Sequence, residues 1–207
     1  MSERPGACCS ASILAILVAG ACSRDPIDVP CPELLAGDLV VTEIRGAQSP
    51  EPGYGEWIEL FNGSASAIDL TGLRVSLTRL VDGTAAASFV LRGGASTDAA
   101  AGGYFVLGRF PAGEEPEYVQ YGYAAEYDDD LPTGAAVDLY SCGELVDRMI
   151  YRSLPSEGTY SLSGAIDPPE GGENDAEGAW CVDMTEDDDT LTLGIRGTPG
   201  KKNIPCA

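Results

Sequence analysis

The chain has 207 residues, of which 12 are Lys or Arg, 33 are Asp or Glu and none is His, so its formal net charge is −21. A charge of this size repels phosphate backbones, which excludes nucleic acid as an expected partner. The length, less a leader, is enough for one domain with a single sizeable core.

Residues 1–21 have the features of a lipoprotein signal peptide. Arg4 supplies a positive charge, residues 13–19 form an apolar run too short to span a bilayer, and the small residues Ala-Gly-Ala stand directly before Cys22. Small residues that end in Cys resemble a bacterial lipobox, in which the thiol is acylated and the leader is removed just before it. We therefore expect Cys22 to be lipidated. The alternative is a plain secretory leader, which would leave Cys22 as a free thiol.

The predicted lipid indicates the location of the protein in the cell. The several acyl chains of a mature bacterial lipoprotein hold it durably on a membrane. Ser23 follows Cys22, whereas Asp at that position would favour retention at the inner membrane in the lipoproteins that this leader resembles. The resemblance implies an outer-membrane lipoprotein of the bacterial cell envelope, with secretion as the alternative.

The rest of the chain is predicted to be a tether and one β domain. Residues 22–37 contain several prolines and are expected to be extended. Over residues 38–207, short β-rich runs alternate with Gly, Pro, Asp and Ser turns, which indicates an all-β sandwich or barrel with Trp57 and Phe61 in its core. The predicted strands are residues 39–44, 57–61, 73–80, 88–91, 104–108, 136–142, 144–151 and 159–163, with a tight hairpin turn at Cys142-Gly143.

Catalysis by the domain is not expected. Without His there is no Ser/His or Cys/His nucleophilic arrangement. Glu56 and Glu59 are predicted to face opposite sides of a strand, because successive side chains alternate, so they do not form a catalytic pair. We expect one of them to face solvent and the other to pair with a cation such as Arg45 or Arg74.

Two acidic runs lie in predicted loops, Glu126 with residues 128–130 and Glu186 with residues 187–189. Runs of carboxylates usually form solvated surface that keeps a protein soluble. The alternative is a site for a hard cation such as Ca²⁺, the one possible cofactor, although neither run has the pattern of a known calcium loop. The candidate ligands are Asp128, Asp129, Asp130, Asp187, Asp188 and Asp189.

The cysteines predict a disulfide-braced domain. Once the leader is removed and Cys22 is lipidated, four cysteines remain, an even number that suits an oxidising compartment. Four cysteines allow three connectivities. We favour Cys31 with Cys206, which would tie the two ends of the domain together, and Cys142 with Cys181, which would clamp a strand to the Trp180 segment.

Several segments, taken in order, resemble motifs of the lamin tail domain family. They are LVVTEI (39–44), GEWIELFN (55–62), IDLTGL (68–73), GGYFVLG (102–108), AVDLYSCGELVDRMIY (136–151), GTYSL (158–162) and GTPGKKN (197–203). The resemblance covers most of residues 38–203 and implies an immunoglobulin-like β-sandwich, here with extended loops. In bacteria such domains occur on secreted and membrane-anchored proteins, sometimes beside nucleases or other hydrolases.

The expected function is that of a lipid-anchored binding or structural module of the cell envelope, with no catalysis of its own. Its expected partners are the membrane, through the lipid, and an unknown envelope protein or surface ligand. One alternative is a calcium-dependent surface adhesion or interaction domain that uses the two acidic loops. The other is a carboxylate-based hydrolase.

Overall fold

The structure is a computed structural model, and it describes residues 30–48, 55–93, 97–186 and 195–207. The predicted signal peptide, Cys22 and the first part of the predicted tether lie outside the described residues. The strands are β1 (Leu39–Arg45), β2 (Trp57–Asn62), β3 (Ile68–Asp69), β4 (Arg74–Arg79), β5 (Ala85–Val90), β6 (Asp98–Ala99), β7 (Tyr104–Gly108), β8 (Tyr121–Gly122), β9 (Ala135–Ser141), β10 (Glu144–Tyr151), β11 (Thr159–Leu162) and β12 (Trp180–Asp183). A short helix α1 (Gly171–Asn174) and a 3-10 helix (Glu177–Ala179) precede β12.

These strands form an all-β sandwich, as the sequence predicts. A six-stranded sheet has the order β12-β11-β1-β2-β7-β8, a four-stranded sheet has the order β10-β9-β4-β5, and β3 pairs with β6. Neighbouring strands run antiparallel except β7 and β8, which are parallel. Among the described residues, neither helix has the length and apolar character needed to cross a bilayer.

The predicted strands correspond to observed ones. β7 and β10 match their predicted bounds to the residue, and the other predicted strands shift by a few residues at their ends. The hairpin turn between β9 and β10 is also confirmed, since Cys142 and Gly143 both have positive φ, as a type I′ turn requires. The sequence missed β3, β6 and β8, because two residues are too few for an alternating pattern, and it missed β12.

The main core lies between the two larger sheets. On β4, Val75 and Leu77 are buried while Arg74, Ser76 and Thr78 are more exposed, which is the alternation of a strand with one face on a core. They belong to one hydrophobic cluster with Ile58 and Leu60 of β2 and Leu139 of β9. The two sheets therefore bury a single continuous apolar layer.

A second, smaller cluster covers the outer face of the six-stranded sheet. Trp57 and Val106 point away from the main core and pack with Phe110, Tyr118 and Ile195. Trp57 and Phe61 are both buried, as predicted, but they lie on this outer face and not in the core between the two sheets. Glu59 lies two residues from both Trp57 and Phe61 on β2, so its side chain is on the same outer face.

A buried carboxylate joins the two sheets. Asp147, at a register shift in β10, accepts hydrogen bonds from the Val41 backbone N–H and the Asn174 side-chain amide, both at 2.8 Å. Burial is the main reason why the pKa of Asp147 is raised to about 6. The contact links β10 of one sheet to β1 of the other.

The predicted disulfide pairing is wrong. Cys31 is bonded to Cys142, and Cys181 is bonded to Cys206. The prediction that these four cysteines form two disulfides is confirmed.

The physical reason is that the first and last described residues of the domain lie along different sheets. The N-terminal segment reaches the β9–β10 turn of the four-stranded sheet, where Gly37 also donates to the carbonyl of Val146 at 3.1 Å. The C-terminal segment follows β11, where the Cys206 N–H donates to Ser163 Oγ at 3.0 Å. Each terminal cysteine therefore meets the nearest strand or turn, and the part of the predicted tether from Cys31 onward is fastened to the domain.

Candidate functional site

The first acidic run lies in the loop after β8, with Asp128, Asp129 and Asp130 exposed. Arg109 reaches into this loop: its Nη1 lies 2.5 Å from Asp130 Oδ1, and its Nε lies 3.8 Å from Asp128 Oδ1. The same Nη1 lies 2.7 Å from Oε2 of the buried Glu56. The guanidinium of Arg109 therefore supplies positive charge to two of the three aspartates of this loop.

The second acidic run is described only at Glu186, since Asp187, Asp188 and Asp189 lie outside the described residues. Glu186 is paired with Arg196 at 3.2 Å, and Arg196 also reaches Glu157 at 3.3 Å. Across residues 30–48, 55–93, 97–186 and 195–207, no three Asp, Glu or Cys side chains are grouped as they would be around a metal ion. Of the described members, Glu126, Asp128, Asp130 and Glu186 are instead paired with arginines.

Glu56 and Glu59 do not meet, as predicted, but their expected partners were wrong. Both are buried, so neither faces solvent. Glu56 pairs with Arg109 instead of Arg45 or Arg74, and its Oε1 accepts the Leu131 N–H at 3.1 Å. The physical reason is that Arg109, directly after β7, lies beside the start of β2, because the end of β7 pairs with Trp57.

Glu59 has a different partner, a second buried glutamate on the adjacent strand. Glu43 of β1 is the Cα partner of Glu59 on β2, and both side chains are fully buried on the outer face. Strict alternation would place Glu43 on the core side with Leu39 and Val41. A register shift between Val41 and Glu43 turns it to the other face.

The C-terminal segment, residues 195–207, covers this glutamate pair with its first part, residues 195–203. The Thr198 N–H donates to Glu43 Oε1 at 3.1 Å, and the Gly200 N–H donates to Glu59 Oε2 at 2.7 Å. Asn203 donates from Nδ2 to the carbonyls of Thr42 and Leu162, at 2.9 and 3.0 Å. Two buried carboxyls and one amide thus dock the C-terminal segment onto β1, β2 and β11.

Hydroxyl groups complete the network around the pair. Thr159 and Ser161 on β11 donate to Glu43 Oε1, and Thr42 donates to Glu59 Oε1 at 2.6 Å. Asp183 of β12 is also buried, and its Oδ2 accepts the Thr198 hydroxyl at 3.1 Å. The donors to Glu43 and Glu59 are neutral, so they orient the carboxyls without compensating two negative charges.

Burial and mutual repulsion favour protonation of this pair. The pKa of Glu43 is raised to about 7, mainly by burial and in smaller part by the nearby Asp183 carboxylate, against the hydrogen bonds from Thr159, Thr198 and Ser161. The pKa of Glu59 is raised well above its usual value by burial and then by the charge of Glu43. Two adjacent carboxyls without a cation ionise together only at high cost.

This pair is the constellation that the sequence did not predict. Paired carboxyls with raised pKa values occur at catalytic sites, but here both are fully buried and four of their donors come from the strands and segment they hold together. The arrangement can hold a proton and a backbone segment, and it offers no open face to a substrate. The available signal was that LVVTEI and WIELF are neighbouring strands with one glutamate each.

The fold and these contacts define a disulfide-braced all-β sandwich with docked ends. No protein-family model matches the chain, and no curated protein matches its sequence.

Proposed function

We propose that the chain is a lipid-anchored module of the bacterial cell envelope, of the immunoglobulin-like lamin tail domain type, that acts by binding or as a structural element and has no catalysis of its own. Cys22 would carry the lipid, and the outer membrane is the proposed location. The resemblance of seven ordered segments supports the family, and the all-β sandwich is the fold class that the resemblance implies.

The observation that carries the proposal is that a disulfide fastens each end of the domain. Cys31–Cys142 and Cys181–Cys206 hold the two terminal segments to separate sheets. Disulfides persist in oxidising compartments such as the bacterial periplasm and the cell surface. Fastened ends also suit a module that is tethered at one end and bears mechanical force from a bound partner.

The carboxyls support a structural role in preference to a hydrolase. Glu43 and Glu59 hold the C-terminal segment, and Glu56 holds Arg109 and the Leu131 backbone. Each candidate acid or base in this group already has internal partners. These contacts therefore disfavour a carboxylate-based hydrolase.

Calcium-dependent adhesion is not favoured by the first acidic loop. Arg109 pairs there with Asp128 and Asp130, and a bound Ca²⁺ would have to displace or tolerate this positive charge. A ligand that binds only the folded state raises the melting temperature. Because we expect no calcium binding, the melting temperature should be the same in calcium and in a chelator. A higher melting temperature with calcium would revive the adhesion alternative.

Intact mass of the membrane-extracted protein tests the anchor. We expect a chain that begins at Cys22 and carries the mass of acyl groups, found in the membrane fraction. The control is Cys22→Ser, which removes the thiol and keeps the size of the side chain, and which should leave the chain unlipidated. An unmodified Cys22 in a soluble wild-type chain would refute the anchor.

A further inference from the structure

A cavity of about 350 Å³ opens at one end of the four-stranded sheet. It lies where β4 ends at Arg79 and where the chain enters β9 through Thr133 and Gly134. Arg152, directly after β10, closes its other side. Loop ends of this kind, positioned by a rigid sheet, are common places for binding sites.

The strand register brings the two arginines to the same cavity. Arg79 and Tyr151 are both Cα partners of Ala135, on the two sides of β9. Neighbouring strands lie about 4.8 Å apart, so the backbones of Arg79 and Arg152 are separated by roughly 10 Å. Two arginine side chains can reach one small group across that distance.

The charge of this cavity differs from that of its neighbours. Its described lining residues include two arginines and no carboxylate. In three other surface cavities an arginine stands beside carboxylates: Arg109 with Glu114 and Asp128, Arg148 with Asp147 and Asp175, and Arg92 with Glu115 and Glu126. On a chain with a net charge of −21, the first cavity is thus a local positive site.

The acidic residues nearby compete weakly for these guanidinium groups. Arg152 lies 3.4 Å from Glu177, but the two side chains are 75% and 69% exposed, and exposed ion pairs are weak. Asp82, in the turn after β4, directs Oδ1 to the N–H and hydroxyl of Thr84, at 2.9 and 2.7 Å. An external anion with two oxygens could bind the arginines more favourably than these contacts do.

An apolar rim adjoins the positive site. Leu80 and Val81 line the cavity and remain 42% and 87% exposed. Exposed apolar side chains that line a cavity are a common feature of ligand sites. The cavity therefore presents guanidinium groups on one side and aliphatic side chains on the other.

We propose that this cavity binds a small amphipathic oxyanion, a phosphate monoester or a carboxylate carried on an apolar body. Arg79 and Arg152 bind the oxyanion through their planar forks, and Leu80 and Val81 contact the apolar body. The ligand rests on the binding role proposed above but not on the lipid anchor. Because Cys142 lies at the opposite end of β9, the cavity of an anchored module faces away from the attachment of the N-terminal segment.

Titration calorimetry with the full-length chain carrying Cys22→Ser tests the site apart from the anchor. The probes are hexyl phosphate, hexanoate, inorganic phosphate and hexanol. We expect saturable binding of hexyl phosphate, of hexanoate or of both, weaker binding of inorganic phosphate and none of hexanol. Whichever hexyl anion binds more tightly identifies the headgroup.

Matched variants locate the site. Arg79→Gln and Arg152→Gln should each lower the affinity for the preferred probe about tenfold, because each removes a charge-assisted contact. Arg92→Gln removes one positive charge from another exposed cavity and should leave affinity unchanged. Val81→Ser should lower the affinity for the hexyl probe and leave the affinity for inorganic phosphate unchanged.

Amide chemical shifts of the wild-type chain give a second readout that needs no variant. On addition of the preferred probe, the N–H signals of Val81, Thr133 and Gly134 should shift together and saturate. Absence of binding by both hexyl anions, or equal losses in Arg92→Gln and Arg79→Gln, would overturn the proposal. Neither result would bear on the acylation of Cys22.

Discussion

At the scale of the residue, the partner of each buried glutamate decides its charge. Burial raises the pKa of Glu56, and the Leu131 N–H and the guanidinium of Arg109, at 2.7 Å, act against that rise. Glu43 and Glu59 face each other and receive neutral donors. The same residue type in one short stretch of sequence thus serves as an ion-pair partner at one position and as part of a proton-holding pair at another.

Glu43 gives the folded state a pH dependence whose sign follows from its raised pKa. The pKa is raised from 4.5 to about 7, so in this interval the folded state binds a proton that the unfolded state has released. The stabilisation is complete below about 4.5 and is lost as the pH rises through about 7. We expect the free energy of unfolding to fall over this range, by roughly 3 kcal/mol for this residue.

In the Glu43→Gln variant, the free energy of unfolding should fall less as the pH rises, because the amide stays neutral. Above neutrality the variant should be more stable than the wild-type protein. Chemical denaturation at a series of pH values measures the effect. The control is Glu144→Gln, which changes an exposed carboxyl and should retain the wild-type slope. An unchanged slope in Glu43→Gln would show that this carboxyl does not hold the proton.

At the scale of the element, the C-terminal segment behaves as part of the six-stranded sheet although it forms no strand. Its backbone N–H groups at Thr198 and Gly200 take the glutamate pair as acceptors. Gly197 and Gly200 have φ values of +128° and +78°, which favour glycine. The GTPG sequence thus lets the segment pass close over Glu43 and Glu59.

Gly197→Ala and Gly200→Ala separate close packing from backbone strain. A methyl group at Gly197 would lie 2.6 Å from Thr159 Cγ2 and 2.8 Å from Glu43 Oε1, whereas one at Gly200 would meet no atom within 4 Å. Gly200→Ala should cost roughly 1 kcal/mol, from the left-handed backbone alone. Gly197→Ala should cost roughly 3 kcal/mol, because steric overlap is added to strain. Equal losses in urea denaturation would argue against close docking of the segment.

At the scale of the whole molecule, the net charge of −21 works against the compact state. The exposed carboxylates are only partly matched by arginines such as Arg109 and Arg196. The two disulfides counter this repulsion by closing loops with sequence separations of 111 and 25 residues.

Sodium chloride should therefore raise the melting temperature at neutral pH, since screening reduces self-repulsion. For a domain of this size, a gain of about 1 kcal/mol corresponds to about 2–4 °C. The control is the same series at an acidic pH, where protonated carboxyls leave less charge to screen and the gain should shrink. A melting temperature that does not rise with salt at neutral pH would show that repulsion is not significant.

Local sequence determined most of the strands. Runs such as YFVLG and ELVDRMIY carry the composition and turn boundaries of strands, and a Gly that follows Cys142 suits a hairpin turn whatever the rest of the chain does. The all-β class follows from the number and spacing of these runs. These features depend on neighbours in the chain, which is why they are readable without the fold.

Only the tertiary structure decided the disulfide pairing, the partner of Glu56 and the face of Glu43. Cys31 meets Cys142 because of the path that the N-terminal segment takes, and Arg109 meets Glu56 because β7 pairs with β2. A single register shift in β1 turns Glu43 away from the core side that alternation assigns to it. Composition, spacing and alternation describe contacts along the chain, whereas these three outcomes depend on which segments pair and on one residue of register between them.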